Sequence, residues 1–511
     1  MGVNVGQMLR QAALCWPTRV GLLDAGVPAS APRELTFAEL DGRARAVAWR
    51  LGELALGAGD CVALIGANSA EFAAAWFGIV YAGCAVVPIP ILSAAPELRM
   101  RIEHAGCRAV LFDTERAELV RAAVDGLAPA PVCVPLHEAA IAGGAVAHPA
   151  DTSPADTAMV LYTSGTTGRA KGAAISHASL SLHTAVLAER AIGLREDDRV
   201  LGVLPLTHSY GCRLSMLVSF FVGARLVLVP RFDAARALAL LRSEAVTWMP
   251  GVPTMYAALA AEPACAPLPA LRWALCAGAP LADETARRAE QRLGVEVRQG
   301  YGMTEATFCT INAPPDARVL GSVGKPLWGI EVKVVDEAGH ELPAGQQGEV
   351  VARGHNVMSH YLHDPEATAS VSAGGFFHSG DVGRFDEAGR LTIVDRIKDL
   401  IIRGGYNVYP SEVEDALAAH PHVRDVAVVG RPDDYYGEEV VAVIVARAGG
   451  GALDAAELAR FAQERVGRTK VPREYAFAKE LPLGPSGKVL KRTLRQWLLE
   501  GRLAVVSPGS K

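Results

Sequence analysis

The sequence predicts an α/β fold: a large N-terminal domain of α/β subdomains with a small β-rich subdomain, joined to a small α+β C-terminal domain. Three observations lead there. From about residue 60, short apolar runs alternate with segments of helical periodicity, the pattern of a sheet with many parallel strands. Between residues 320 and 395 the texture changes to short alternating strands punctuated by Gly and Asp, and beyond 395–400 helices and strands resume. At 511 residues the chain also exceeds a single core, since domains run to about 150 residues each. This divides it into an N-terminal domain 1–394, a junction 395–400 and a C-terminal domain 401–511.

In chain order, the run 62–65 reads as a strand, and Phe72, Trp76, Ile79 and Val80 then recur at helical spacing, with Asn68 and Glu71 placed as a capping box. The run 158–161 reads as a strand feeding a glycine-rich loop. Residues 214–229 are the most membrane-like, but the segment is too short to span and is interrupted by Gly223 and Arg225; it reads as a buried helix and then a strand. Strands follow at 246–249, 273–276 and 295–298, with a helix over 283–293. The β-rich part contributes 331–336 and 348–353. The C-terminal domain contributes a helix over 411–419, strands 426–429 and 440–445, and a helix carrying Leu458, Phe461 and Ala462.

A formal net charge of −5 spread over this length provides no basic field, so nucleic acid is excluded as a partner. The nine cysteines lie far apart without a CxxC pair, and no histidine cluster has metal-ligand spacing; they read as buried thiols in a reducing compartment. The N-terminus lacks the basic start and apolar core of a secretory signal. A cytoplasmic protein without a transmembrane segment is expected.

The stretch Tyr162-Thr-Ser-Gly-Thr-Thr-Gly-Arg-Ala-Lys-Gly172 places three glycines, four Ser/Thr hydroxyls and one lysine in eleven residues. Glycine lets backbone N–H groups approach phosphate oxygens, the hydroxyls add donors, and Lys171 adds charge. It differs from a Walker A loop, because Ala170 precedes the lysine and Gly172 follows it. A flexible polar linker would share this composition, but not the strand that feeds it. Two further loops, Cys276-Ala-Gly-Ala-Pro280 and Gln299-Gly-Tyr-Gly-Met-Thr-Glu305, follow strands where parallel sheets collect ligands.

Together with PLTHSYG at 205, GVPTMY at 251, GEVVARG at 348, FFHSGD at 376, DRIKDLIIRGGYNVYPSEVE at 395 and PSGK at 485, these motifs make the chain resemble the adenylate-forming superfamily of acyl-CoA synthetases, luciferases and peptide-synthetase adenylation domains. The resemblance runs from about residue 35 to 495. It implies that a carboxylate attacks the α-phosphate of ATP to give acyl-AMP and pyrophosphate, and that the thiol of coenzyme A then displaces AMP. By resemblance, Thr163, Ser164, Gly165, Thr166, Thr167, Gly168 and Lys171 handle the β- and γ-phosphates, Thr304 the α-phosphate and Glu305 a Mg²⁺ ion. Adenine lies between Tyr301, with Gly302 beyond it, and the loop of Gly278, Ala279 and Pro280. Asp381 accepts the ribose hydroxyls, Arg396 reaches the ribose region, and Lys488 meets the carboxylate and α-phosphate as charge develops. Lys398 matches the hinge about which a mobile small domain swaps the Lys488 face for one bearing Gly404 and Gly405, on the CoA side. Taken alone, an Asp in a turn, an Arg on a surface or a Lys in a polar loop is usually idle; the motifs raise these above that reading. Ala170, Ser379 and Cys276-Ala277 depart from the family pattern without removing a functional group.

Amino-acid-activating members hold the ammonium with an aspartate in the segment matching 205–211, and this segment has no acid. An amino acid would leave its ammonium unpaired, at a cost of several kcal/mol. His208 matches an aromatic or histidine gate of acyl- and aryl-CoA synthetases, against the plainer reading of a core histidine bonded to backbone. Tyr210, Gly211, Leu214, Gly302 and Met303 are expected to wall the acyl pocket, and Gly300 to leave it room, which fits a fatty or aromatic monocarboxylate. Arg213, three residues beyond Tyr210 on a helix, is expected to pair at the surface; facing inward instead, it would suit a dicarboxylic acid. The alternative acceptor is the pantetheine of an acyl-carrier protein.

Overall fold

Val- and Ala-rich runs that are buried on both faces form the first sheet, as parallel strands under helices require. The computed structural model describes residues 4–26, 31–141, 144–146, 148–163, 170–263, 267–447, 453–484 and 489–508. In this seven-stranded sheet the parallel strands are Thr157–Thr163, Ala85–Ile89, Cys61–Ile65, Cys107–Phe112 and Val132–Pro135. Lys171–Ser176 and His360–Tyr361 extend it antiparallel. The helix Ala70–Tyr81 packs Phe72, Trp76 and Phe77, all at most 1% exposed, into the main core.

The second sheet has nine strands, of which Val297–Tyr301, Trp273–Cys276, Trp248–Gly251, Arg199–Gly202, Arg225–Leu228 and Val20–Asp24 run parallel. The segment 214–229 resolves into a π-helical turn Cys212–Leu217, a helix Val218–Val222 and the strand Arg225–Leu228. No helix of the described residues is long and apolar enough to cross a membrane.

The β-rich part is a five-stranded antiparallel sheet of Ile330–Val335, Gly348–Gly354, Phe376–Phe385, Ser372–Ala373 and Leu391–Arg396. Sheet membership changes after Arg396. Ile401–Arg403 belongs to a six-stranded sheet built around Val423–Asp433 and Gly437–Ala446. One face of that sheet buries Val413, Leu417 and Leu458 from the helices Pro410–Ala418 and Ala455–Gln463; the other buries Leu494 and Leu498 from Lys491–Leu499.

Two expectations are corrected. Ser69, not Asn68, caps the helix after the strand Cys61–Ile65: its hydroxyl accepts from Phe72 N at 3.1 Å, while Glu71 pairs with Arg33. Asn68 is buried and works across the core, accepting from Leu206 N at 2.8 Å and donating to the Leu204 and Val229 carbonyls. The thiols of Cys84, Cys107, Cys212, Cys276 and Cys309 are buried, but Cys15 and Cys133 are exposed and Cys61 is half-buried.

Candidate active site

The adjacent parallel strands Trp273–Cys276 and Val297–Tyr301 end side by side, with Cys276 opposite Gln299. The glycine-containing loops that continue from them therefore share one edge of the sheet. Gly278 holds φ +90°, a conformation that glycine adopts without penalty, and leads into the half-buried Ala279 and exposed Pro280.

Met303, Thr304 and Glu305 follow on a half-buried turn. Glu305 Oε1 accepts from the Tyr361 hydroxyl at 2.8 Å and from Thr163 Oγ1 at 3.3 Å. Lys171 places its ammonium 5.0 Å from the centroid of the same Tyr361 ring, a cation–π contact. Glu305 thus meets one end of the glycine loop directly, at Thr163, and the other through Tyr361, at Lys171. The sequence reading missed Tyr361, because an isolated tyrosine carries no signal until the strand His360–Tyr361 pairs with Ala173 and Ala174. Burial, and then the neighbouring Glu305, pushes the Tyr361 hydroxyl well above its ordinary range, so it remains a donor. Ser164, Gly165, Thr166, Thr167 and Gly168 lie outside the described residues.

Asp381 forms a second centre in the strand Phe376–Phe385. Tyr301 donates its hydroxyl to Oδ2 at 2.7 Å, and Arg396 Nε lies 3.0 Å from Oδ1. Asp381 is 5% exposed and Tyr301 9%. Each carboxylate oxygen keeps a further lone pair for another donor. Burial, and then Asp381, raises the Tyr301 hydroxyl far above its usual range; for Arg396 the pull of Asp381 and Asp399 outweighs burial, so it stays protonated.

At the start of the helix Ser209–Gly211, His208 Nδ1 accepts from Tyr210 N at 3.2 Å. A neutral His208 therefore carries its proton on Nε2. Tyr210 is anchored by its hydroxyl to the Gly251 and Leu275 carbonyls, at 3.1 and 3.0 Å. Its ring meets Phe308 edge-on at 5.0 Å. Phe308, missed from sequence, takes the room above Gly300: a Cβ there would lie 3.0 Å from its ring, and one on Gly302 only 2.1 Å from its backbone N. Leu214 is fully buried in the same core.

Arg213 does not pair at the surface. Its side chain is 0% exposed, and none of its three guanidinium nitrogens has a hydrogen-bond partner among the described residues. Lys398 sits exposed in the short turn Ile397–Asp399. Gly404 and Gly405, with φ +55° and +81°, make the reversal between Ile401–Arg403 and Tyr406–Val408. Lys488 lies outside the described residues.

Among the described residues no three His, Cys, Asp or Glu side chains cluster as a metal cage. One carboxylate beside a phosphate-loop candidate is the donor set suited to magnesium arriving with a nucleotide, since Mg²⁺ keeps waters and shares its ligands with phosphates.

The profile of the AMP-binding enzyme family matches residues 9–362, and that of the AMP-binding enzyme C-terminal domain residues 412–488. Feruloyl-CoA synthase from an Amycolatopsis species is 36% identical over 498 residues, covering 96% of this chain and 99% of its own. The long-chain-fatty-acid–CoA ligase FadD13 of Mycobacterium tuberculosis is 33% identical over 508 residues, covering 96% and 98%. ATP-bound MatB from Rhodopseudomonas palustris, 32% identical, aligns over 97% of this chain and 99% of its own with a TM-score of 0.89; apo MatB gives 0.78 over the same shares. The chain belongs to the AMP-binding enzyme family. Within it the chain is an AMP-forming acid–thiol ligase of the acyl-CoA synthetase branch, using ATP and CoA.

Proposed function

We propose that the enzyme activates a fatty or aromatic carboxylic acid at the edge shared by the loops after Cys276 and Tyr301, and passes the acyl group to free CoA. The observation that carries this is the convergence on Glu305 of Thr163 and Tyr361, with Lys171 against the same tyrosine ring. In the first half-reaction a substrate carboxylate oxygen forms a bond to the α-phosphorus and the bond to pyrophosphate breaks. Thr163 and Lys171, with 164–168, hold the β- and γ-phosphates, Thr304 orients the α-phosphate, and Lys488 offsets the charge between the two anions. Glu305 holds Mg²⁺, which when bound neutralises phosphate charge. Asp381, kept in place by Tyr301 and Arg396, accepts the ribose hydroxyls, and adenine rests between Tyr301 and the loop 278–280. In the second half-reaction the thiol gives up its proton, sulfur bonds to the acyl carbon and AMP leaves.

His208, Tyr210, Gly211, Leu214, Gly300, Gly302 and Met303 form the acyl side, with Phe308 limiting its width. We place the domain boundary at 395–400, with Lys398 as the hinge and Gly404 and Gly405 on the CoA side, and the protein in the cytoplasm. The better fit to ATP-bound than to apo MatB supports an arrangement suited to the first half-reaction. Pyrophosphate release measured across fatty and aryl acids, with and without CoA, tests the reading. Turnover that follows CoA supports it; release that proceeds only with an acyl-carrier protein would move the acceptor to protein-borne pantetheine.

A further inference from the structure

Arg213 is a charge inside the protein that no group among the described residues meets. It lies on the turn Cys212–Leu217, fully buried, and none of Nε, Nη1 and Nη2 has a hydrogen-bond partner among the described residues. Burial lowers its pKa only to about 10, so the guanidinium remains charged at neutral pH. A buried cation without an anion is costly, and interiors that keep one supply a partner.

The groups around it supply none. His183, also fully buried, has Nδ1 3.2 Å from His355 Nε2. Burial, and then the charge of Arg213, holds the His183 imidazole neutral; burial likewise lowers His355, with Arg213 adding to it. The cluster is thus one cation beside two neutral rings.

Its position relates it to the acyl pocket. Arg213 stands three residues beyond Tyr210 on the same continuous helical run. Tyr210 packs on Phe308. Ser209 Oγ and Thr307 Oγ1 are 2.7 Å apart, and the Thr307 backbone faces His183. Ser209 and Thr307 are the chain neighbours of Tyr210 and Phe308, which narrow the pocket, and Thr307 also meets His183 beside the cation.

We infer that Arg213, with His183 and His355, receives an acidic group at the far end of the substrate, so that the acid activated here is a dicarboxylate. One carboxylate goes to the α-phosphate and the other to the guanidinium fork, whose planar donors match a carboxylate bidentately. This rests on the ligase reading above and narrows its fatty or aromatic acid to one with a distal carboxylate. A plain alkyl or phenyl end would leave the cation unpaired. A surface pocket of about 400 Å³ lined by Ser176, Ser179, Leu182, Gly354 and His355 also borders this cluster, at His355. If a solution anion neutralised Arg213 by that route, substrates would not be distinguished by their distal charge.

The test uses the full-length enzyme with MgATP and CoA. Pyrophosphate release is followed for succinate, glutarate, adipate, suberate and terephthalate, each against its monomethyl ester, with hexanoate and benzoate alongside. At least one diacid should exceed its half-ester in kcat/KM by about tenfold or more, the scale of a charge-assisted hydrogen bond. Arg213→Met should erase that preference by lowering the diacid, and Arg213→Lys should retain part of it. Half-esters or monoacids turned over as well as every diacid by the unaltered enzyme would overturn the inference and leave the ligase reading standing. That comparison needs no variant, so it holds even if Arg213→Met does not fold. No release from any acid would overturn the ligase reading itself.

Discussion

The roles proposed for Glu305 and Lys488 in the first half-reaction rest on charge, and charge can be removed without removing shape. Glu305→Gln keeps the volume and a carbonyl for Tyr361 and Thr163, but a neutral amide is a poor ligand for a hard cation. We expect a folded variant that needs more magnesium for the same rate; a magnesium titration that superposes on the unaltered enzyme would remove Glu305 from that role. Lys488→Ala should slow acyl-AMP formation by roughly two to three orders of magnitude, the scale of one transition-state electrostatic donor. Thioester formation from supplied acyl-AMP should survive, and equal loss in both steps would assign Lys488 to domain docking. At this scale the structure brings together residues that the sequence offered in separate short motifs, Glu305 with Thr163 and Asp381 with Arg396. The sequence reading misjudged Arg213, because an arginine on a helix is ordinarily solvated and only the packing of distant segments buries this one. Tyr361 was invisible for the same reason: its partners lie 56 residues before it at Glu305 and on another strand at Lys171.

The segment that carries His208 and Tyr210 is held by its neighbours more than by its own helical tendency. Ser209–Gly211 is the first turn of a helical run that passes into the π-helical turn Cys212–Leu217, and a first turn has no preceding helical residues to hold it. Asn68 bonds fix Leu204 and Leu206 just before it, and the Tyr210 hydroxyl fixes it to the sheet. Gly211 completes this fit: a Cβ would lie 2.2 Å from the Pro205 carbonyl oxygen, a backbone atom with little freedom to move. We expect Gly211→Ala to cost about 1–3 kcal/mol, as overpacking does, and to raise the acid KM because His208 and Tyr210 shift together. Unchanged melting temperature and unchanged KM would show that the segment relaxes freely. Strand and helix types along the large domain were legible from periodicity, including the helix Asp283–Leu293. The cap at residue 68 was misread because Asn and Ser both suit an N-cap, and the choice was made by the long-range bonds of Asn68.

Across the whole molecule the decisive joint is the step from Leu391–Arg396, in the antiparallel sheet, to Ile401–Arg403, in the C-terminal sheet. The change of texture at 395–400 is visible in the sequence because each side has its own core. The contacts that bridge it are not, since Asp395 Oδ2 accepts from Ser411 N at 2.9 Å while Oδ1 accepts from Arg396 N at 2.8 Å. Were the small domain to rotate about Lys398, as proposed above, Ser411 would have to give up its bonds to Asp395 and to the Val394 carbonyl, about 1–3 kcal/mol each and so breakable within a catalytic cycle. Lys398 lies in a 3₁₀ turn, where φ is ordinarily within the range that proline fixes, although proline disfavours the helical region for Ile397 before it. Lys398→Pro should therefore hold this arrangement and hinder the other. Single-turnover pyrophosphate release should persist, while CoA-dependent product formation falls by at least about tenfold, or roughly 1.4 kcal/mol in the barrier. If a soluble, folded variant carried out both half-reactions at the rates of the unaltered enzyme, residues 395–400 would be a passive linker, and both steps would have to proceed in one arrangement of the two domains.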